Sequence, residues 1–90
     1  MHAKSTTNSA IWHSEMRGKH LYLACEDGSI KKLKVKKERI ELSKIVARAE
    51  TKCLSLAITE DEKFVYGGYE DSSIRKWDTQ NGNCVLHFVK

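Results

Sequence analysis

Five residues of this chain return at one fixed interval. Glu26, Asp27, Ser29, Ile30 and Lys32 of "CEDGSIKKLK" come back as Glu70, Asp71, Ser73, Ile74 and Lys76 of "YEDSSIRKWD", an interval of 44 positions, as from 27 to 71. A chain of 90 residues is one small domain by length, so such a period fills it almost twice. Self-similarity on this scale belongs to repeat architectures. There each unit is one supersecondary motif that buries its faces only against neighbours.

The units read as strands. Sustained helical periodicity is absent; residues 40–49, "IELSKIVARA", come nearest, with Leu42, Ile45, Val46 and Ala49 on one helical stripe. The other apolar groups are short, rich in aromatic and β-branched residues, and bounded by turn residues. Two rounds of four strands are expected: 10–13, 20–25, 29–35 and 39–46, then 52–58, 63–69, 73–78 and 83–89. "EDG" at 26–28, "EDS" at 70–72 and "TEDEK" at 59–63 read as polar turns, and Asn-Gly within "TQNGN" reads as a hairpin. Several strands are apolar on both sides. Leu21, Leu23 and Cys25 are expected on one face with Tyr22 and Ala24 on the other, and Leu54, Leu56 and Ile58 on a shared face. A simple sandwich shows cleaner alternation; burial on both faces suits a small sheet stacked between two others. The fold class is therefore all-β, two four-stranded antiparallel units with the period and strand count of a propeller blade.

From Asp71 to Trp77-Asp78 the second unit, "LSLAITEDEKFVYGGYEDSSIRKWDTQNGNCV", resembles the WD40 repeat. The first unit keeps "LACEDGSIKKL" but has Leu33-Lys34 where Trp-Asp falls. The resemblance implies a degenerate blade at 10–46, a blade at 47–90, and a tail or remnant of a preceding blade at 1–9. Asp27, Gly28, Asp71, Trp77 and Asp78 become the structural turn and repeat residues. Two departures are visible. The family's His–Ser/Thr–Asp–Trp tetrad is incomplete, because "ARAETK" lacks the His and Gly67 occupies the Ser/Thr position. Lys32 and Lys76 stand where the family prefers an apolar residue facing the next blade. Two blades do not close a ring of about four to eight, so a piece of a larger propeller is expected, or a chain completed by association. A narrower resemblance, carried by "ACEDGSIKKLKV", "ERI" and "CLSLAI", is to the U3 small nucleolar RNA-associated WD-repeat proteins of the small-subunit processome. It implies a non-enzymatic scaffold for ribosome biogenesis and pre-rRNA processing in the nucleolus, with cytoplasm as the alternative. Its partners would be other proteins of a large assembly and, through phosphate contacts, pre-ribosomal RNA. The other readings are a WD40 adaptor for peptides or proteins elsewhere, and a truncated fragment without function.

The remaining chemistry is sparse. Hydrophobic residues make up 40% and charged residues 31%, a globular balance rather than a disordered one. Cys25, Cys53 and Cys84 are odd in number and far apart, which argues for free thiols in a reducing compartment. With His13 and His20 they form none of the close pairs that structural zinc uses, so no metal or cofactor is expected. No phosphate loop, dinucleotide fingerprint or nucleophile elbow occurs. Cys84 and His87, three apart on a strand, are expected on opposite faces. No small-molecule substrate and no membrane contact are expected: the apolar runs are far shorter than a membrane span, and the first ten residues lack the apolar core of a secretory signal. "YGGY" at 66–69 reads as close backbone packing, Asp27 and Asp71 as turn-forming carboxylates, and Trp77 as core with a satisfied N–H. Trp12, at the end of an inner strand, is a candidate protein contact. The net charge is +4, and the basic run Lys31, Lys32, Lys34, Lys36, Lys37 and Arg39 is expected on an exposed outer strand and loop. There it would meet RNA phosphates or an acidic partner; it carries no aromatic residue for stacking on bases.

Overall fold

The computed structural model describes residues 9–89. The expected remnant at 1–9, apart from Ser9, and Lys90 lie outside the described residues. Eight strands follow one another: β1 (Ile11–Arg17), β2 (His20–Cys25), β3 (Ser29–Val35), β4 (Ile40–Arg48), β5 (Cys53–Ile58), β6 (Phe64–Tyr69), β7 (Ser73–Asp78) and β8 (Cys84–Val89). They form two four-stranded antiparallel meanders, β1–β4 and β5–β8, each in sequence order. Within the 40–49 segment, Ile40–Arg48 is strand, since its hydrogen bonds go across to β3. β1 runs on to Arg17, past the expected end at His13, and β4 to Arg48. Ser14 to Arg17 is polar enough to hide a strand, but it pairs fully with β2.

The turns are set by backbone geometry. Gly28 (φ 89) and Ser72 (φ 72) take the left-handed region at equivalent places, and their N–H groups donate to Cys25 O and Tyr69 O at 3.0 Å. The flanking carboxylates accept from the turns, with Ser29 N to Asp27 Oδ1 at 3.0 Å and Ser73 N to Asp71 Oδ1 at 2.9 Å. Gly28 has a second reason to lack a side chain. Ala49 N donates to Gly28 O at 2.9 Å as the chain crosses from β4 to β5, and a Cβ on Gly28 would collide with the backbone of Ala49. A second pair of left-handed residues is Gly18 (φ 60) and Glu62 (φ 59), in the β1–β2 and β5–β6 connections.

The sheets pack face to face. They approach most closely where β1 and β2 lie against β5, and touch only sparsely between β4 and β7. The shared core is a single cluster that includes Tyr22, Ala24, Ile30, Ala47, Val65, Tyr69 and Trp77. β2 is buried on both faces as expected, with Tyr22, Leu23, Ala24 and Cys25 all 5% exposed or less. Bulges correct the expected pattern elsewhere. The register shifts between Cys53 and Ser55, so Cys53, Leu56 and Ile58 are buried while Leu54 is turned out, 40% exposed. An inserted residue of this kind flips the alternation downstream.

Gly28→Ala is expected to lower stability by at least about 2 kcal/mol, from left-handed strain plus the clash, whereas Ser72→Gly stays within about 1 kcal/mol of the parent. Urea unfolding midpoints check both.

Candidate functional site

Two polar networks mark the same corner of each sheet. In the first, Lys31 Nζ lies 3.1 Å from Ser29 Oγ, 3.5 Å from Asp27 Oδ2 and 3.9 Å from Cys25 Sγ. In the second, Arg75 Nε donates to Ser73 Oγ at 3.2 Å, and its Nη2 reaches Asp71 Oδ2 at 3.2 Å and Glu50 Oε1 at 2.8 Å. Burial opposes the charge of Asp27. Hydrogen bonds from Ser29 and the nearby Lys31 outweigh it, holding this carboxyl below its ordinary range. Asp71 is lowered by hydrogen bonding to Ser73, against some desolvation, and by Arg75. Turn carboxylate and strand cation thus lock each hairpin.

Trp77 closes the core differently from the incomplete tetrad. Its Nε1 donates to Tyr69 Oη at 2.7 Å. The Tyr69 ring lies over Gly67, where any Cβ would strike it, and Arg75 Cζ sits 5.0 Å from the ring centroid. The absence of a side chain at Gly67 leaves room for the tyrosine whose hydroxyl serves as acceptor. Sequence reading missed Tyr69; the signal was a tyrosine two residues beyond a strand glycine, which leaves room for its ring. Burial raises the Tyr69 phenol above its usual range and pushes the Cys53 thiol up to about 11, so neither ionises near neutral pH.

Across the sheets, Glu62 Oε1 accepts from Tyr22 Oη at 2.8 Å and lies 2.8 Å from His20 Nδ1. Burial raises its pKa, but hydrogen bonds from Tyr22 and His20, then the charges of His20 and Lys32, bring it below the ordinary value. Beside it the sheets leave a cleft of about 410 Å³ whose lining includes Lys32, Lys44, Lys63 and Asp78. Asp78 accepts from Gln80 N at 2.8 Å and Asn81 N at 3.3 Å, so it organises the β7–β8 turn.

The basic run does not form one surface. Lys31 is 4% exposed and held in its network, a correction to its expected outward position: a carboxylate, a hydroxyl and a thiol at the sheet corner replace its water. Lys32 points into the inter-sheet cleft. Lys36 and Arg39 both bind Glu41, at 3.0 and 2.9 Å. Lys34 and Lys37 are exposed, and among the described residues no ion pair holds them. Lys76, the counterpart of Lys32, lies over Phe64 and Tyr66, 4.3 and 5.6 Å from their centroids. Trp12 is 52% exposed at a bulge of β1.

Cys84 and His87 are both exposed. A register shift places them opposite Trp77 and Arg75, which share a face, so simple alternation does not separate them. Cys84 Sγ bonds Leu86 O at 3.2 Å, and no hydrogen bond joins it to His87. Among the described residues no three His, Cys, Asp or Glu side chains converge as a metal site.

Each sheet also exposes apolar side chains. The far face of β1–β4 exposes Met16, Leu42 and Ile45, and that of β5–β8 exposes Tyr66, Ile74, Leu86 and Phe88, each between 36% and 62% exposed. Apolar side chains exposed together on one face of a sheet are the kind of surface by which proteins make contacts. The chain matches no model of a known protein family and no curated protein.

Tyr69→Phe leaves the Trp77 N–H buried without an acceptor and is expected to cost about 1–3 kcal/mol, more than the roughly 1 kcal/mol of Trp77→Phe at the hydrogen bond itself, once the lost ring area is allowed for. Because Glu62, Asp27 and Asp71 titrate below their ordinary values, the stability they supply is present above the ordinary values and is lost as pH falls through the folded ones. The urea midpoint is expected to drop below about pH 4.5, the ordinary Glu value. Glu62→Gln is expected to remove about 1 kcal/mol at neutral pH and to flatten the acid decline.

Proposed function

We propose that this chain is a pair of WD40-type blades from a larger β-propeller, acting as a non-enzymatic scaffold in macromolecular assembly. The observation that carries this reading is the stacking of two like meanders, closest at their first strands, with one apolar face left open on each. Such a unit does chemistry only by holding partners in place. The Asp–Ser–cation corners and the Trp77–Tyr69 bond supply rigidity, and the open faces and loops supply contact. The resemblance to the small-subunit processome protein cirhin, a U3-associated WD-repeat subunit, directs the proposal to nucleolar ribosome assembly and pre-rRNA processing.

Protein contact is favoured over RNA contact as the main mode. Of the run expected to meet phosphates, Lys31 is internal and Lys36 and Arg39 share one carboxylate. Lys34 and Lys37 remain for an auxiliary phosphate contact.

Tagged chain in cell extract is expected to cosediment with U3-containing pre-ribosomal particles and to concentrate in nucleoli. Free sedimentation with diffuse staining would overturn the processome placement. Binding to pre-ribosomal RNA in isolation is expected to be weak, with a log–log salt slope of about −1 to −2 for two phosphate contacts on a single strand, and to be lost in Lys34→Glu/Lys37→Glu. A slope several times steeper would restore a direct RNA-binding function.

A further inference from the structure

The interface between the two sheets has two unlike halves, and each half recurs on the outside of the molecule. The packed face of β1–β4 carries Tyr22, Ala24, Ile30 and Lys32. Their repeat counterparts, Tyr66, Gly68, Ile74 and Lys76, occupy the open face of β5–β8 in the same register. Tyr22 and Ile30 are 0% exposed, while Tyr66 and Ile74 are 36% and 49% exposed. The packed face of β5–β8 carries Ile58, Val65 and Trp77 side by side across three strands. At the equivalent ladder positions of the first sheet, Met16, Leu21 and Leu33 stand side by side on the open face of β1–β4; Met16 pairs with Leu21 as Ile58 pairs with Val65, although the 44-residue interval from Ile58 falls on Ser14. Ile58 is 7% exposed and Met16 49%.

We propose that a second copy of this chain docks the open face of its β1–β4 sheet onto the open face of β5–β8, head to tail, continuing the stack that the two sheets form within one chain. The inference rests on the blade-like reading of the sheets and is independent of the placement in ribosome assembly. What fits the open face of β5–β8 is a surface like the one that covers Tyr22 and Ile30, and the chain carries such a surface at Met16, Leu21 and Leu33. Lys76 is no obstacle: it lies over the rings of Phe64 and Tyr66 on its own sheet, so its charge is met without a group from the docked face. The two surfaces are different, so the contact is heterologous, and it ends only by closing on itself. The sheets splay apart from the β1–β5 side towards β4 and β7, which curves the stack about its inner strands. Propellers close with about four to eight blades, so the expected product is a ring of roughly two to four chains.

Sedimentation equilibrium on the full chain, with circular dichroism on the same sample, tests this. The parent is expected to be a β-rich oligomer of defined mass. Ile74→Glu blocks one surface and Met16→Glu the other, at positions already half open to solvent. Each variant alone is expected to be a monomer, because every copy then lacks one of the two surfaces that a contact needs. An equimolar mixture is expected to form a two-chain complex through the one pair of intact surfaces, an outcome that a symmetric face-to-face dimer does not produce. A folded parent that stays monomeric at tens of micromolar would overturn the proposal, and so would unchanged mass in Ile74→Glu. An unfolded or polydisperse parent would overturn it equally, because the open faces would then require blades of other sequence. A monomer that still travels with pre-ribosomal particles refutes self-assembly and leaves the scaffold reading standing; a defined ring absent from those particles does the reverse.

Discussion

A four-stranded sheet that is apolar on both sides needs a neighbour on each side, and the rest of this structure follows from that constraint. β2 meets it: Tyr22 and Ala24 are sealed by the second sheet, while Leu23 and Cys25 are closed off on the opposite face. The polar chemistry is then confined to corners and seams, where carboxylates, cations and hydroxyls satisfy one another. A buried Lys or Arg is tolerated there because its charge is met within the turn that precedes its strand, at Asp27 for Lys31 and at Asp71 for Arg75.

The two units solve one problem with different atoms. Where the first sheet sets Lys31 against the small thiol of Cys25, the second sets Arg75 against the ring of Tyr69. The larger second pair demands space, which Gly67 supplies, and gives Trp77 an acceptor in return. Substitutions along the repeat are therefore coupled across strands. Tyr69, Gly67 and Trp77 form one packing decision, and Cys25, Leu23 and Leu33 form its counterpart in the first sheet.

Much of the fold was legible in the sequence because period and turn chemistry are local. The recurrence of Asp27 as Asp71, the Asn-Gly pair and the two-faced apolar strands specify two meanders without reference to distant residues. Bulges were not legible: the extra residue near Leu54 answers to the pairing partner, and strand alternation contains no trace of it. Lys31 escaped for a related reason. A lysine within a basic run looks solvated unless it is known that Asp27, Ser29 and Cys25 converge on it, and that convergence is a property of the folded corner. The same holds for Lys36, whose partner Glu41, shared with Arg39, lies across a turn. Tyr69 was hidden because its role as the Trp77 acceptor depends on the room that Gly67 leaves across the folded strand.

Gly18 and Glu62 hold the same left-handed backbone in corresponding hairpins, yet only one of them carries a side chain. Inside the chain, Glu62 reaches back to Tyr22 and His20 and fastens the two sheets. At any joint made by repeating the stack outward, Gly18 would stand in that place, facing Tyr66 with nothing to offer its hydroxyl. The joints are thus built to two grades. Dilution would then act on a hierarchy in which external seams part first, whereas acid, which protonates Glu62, would loosen the internal pair of sheets.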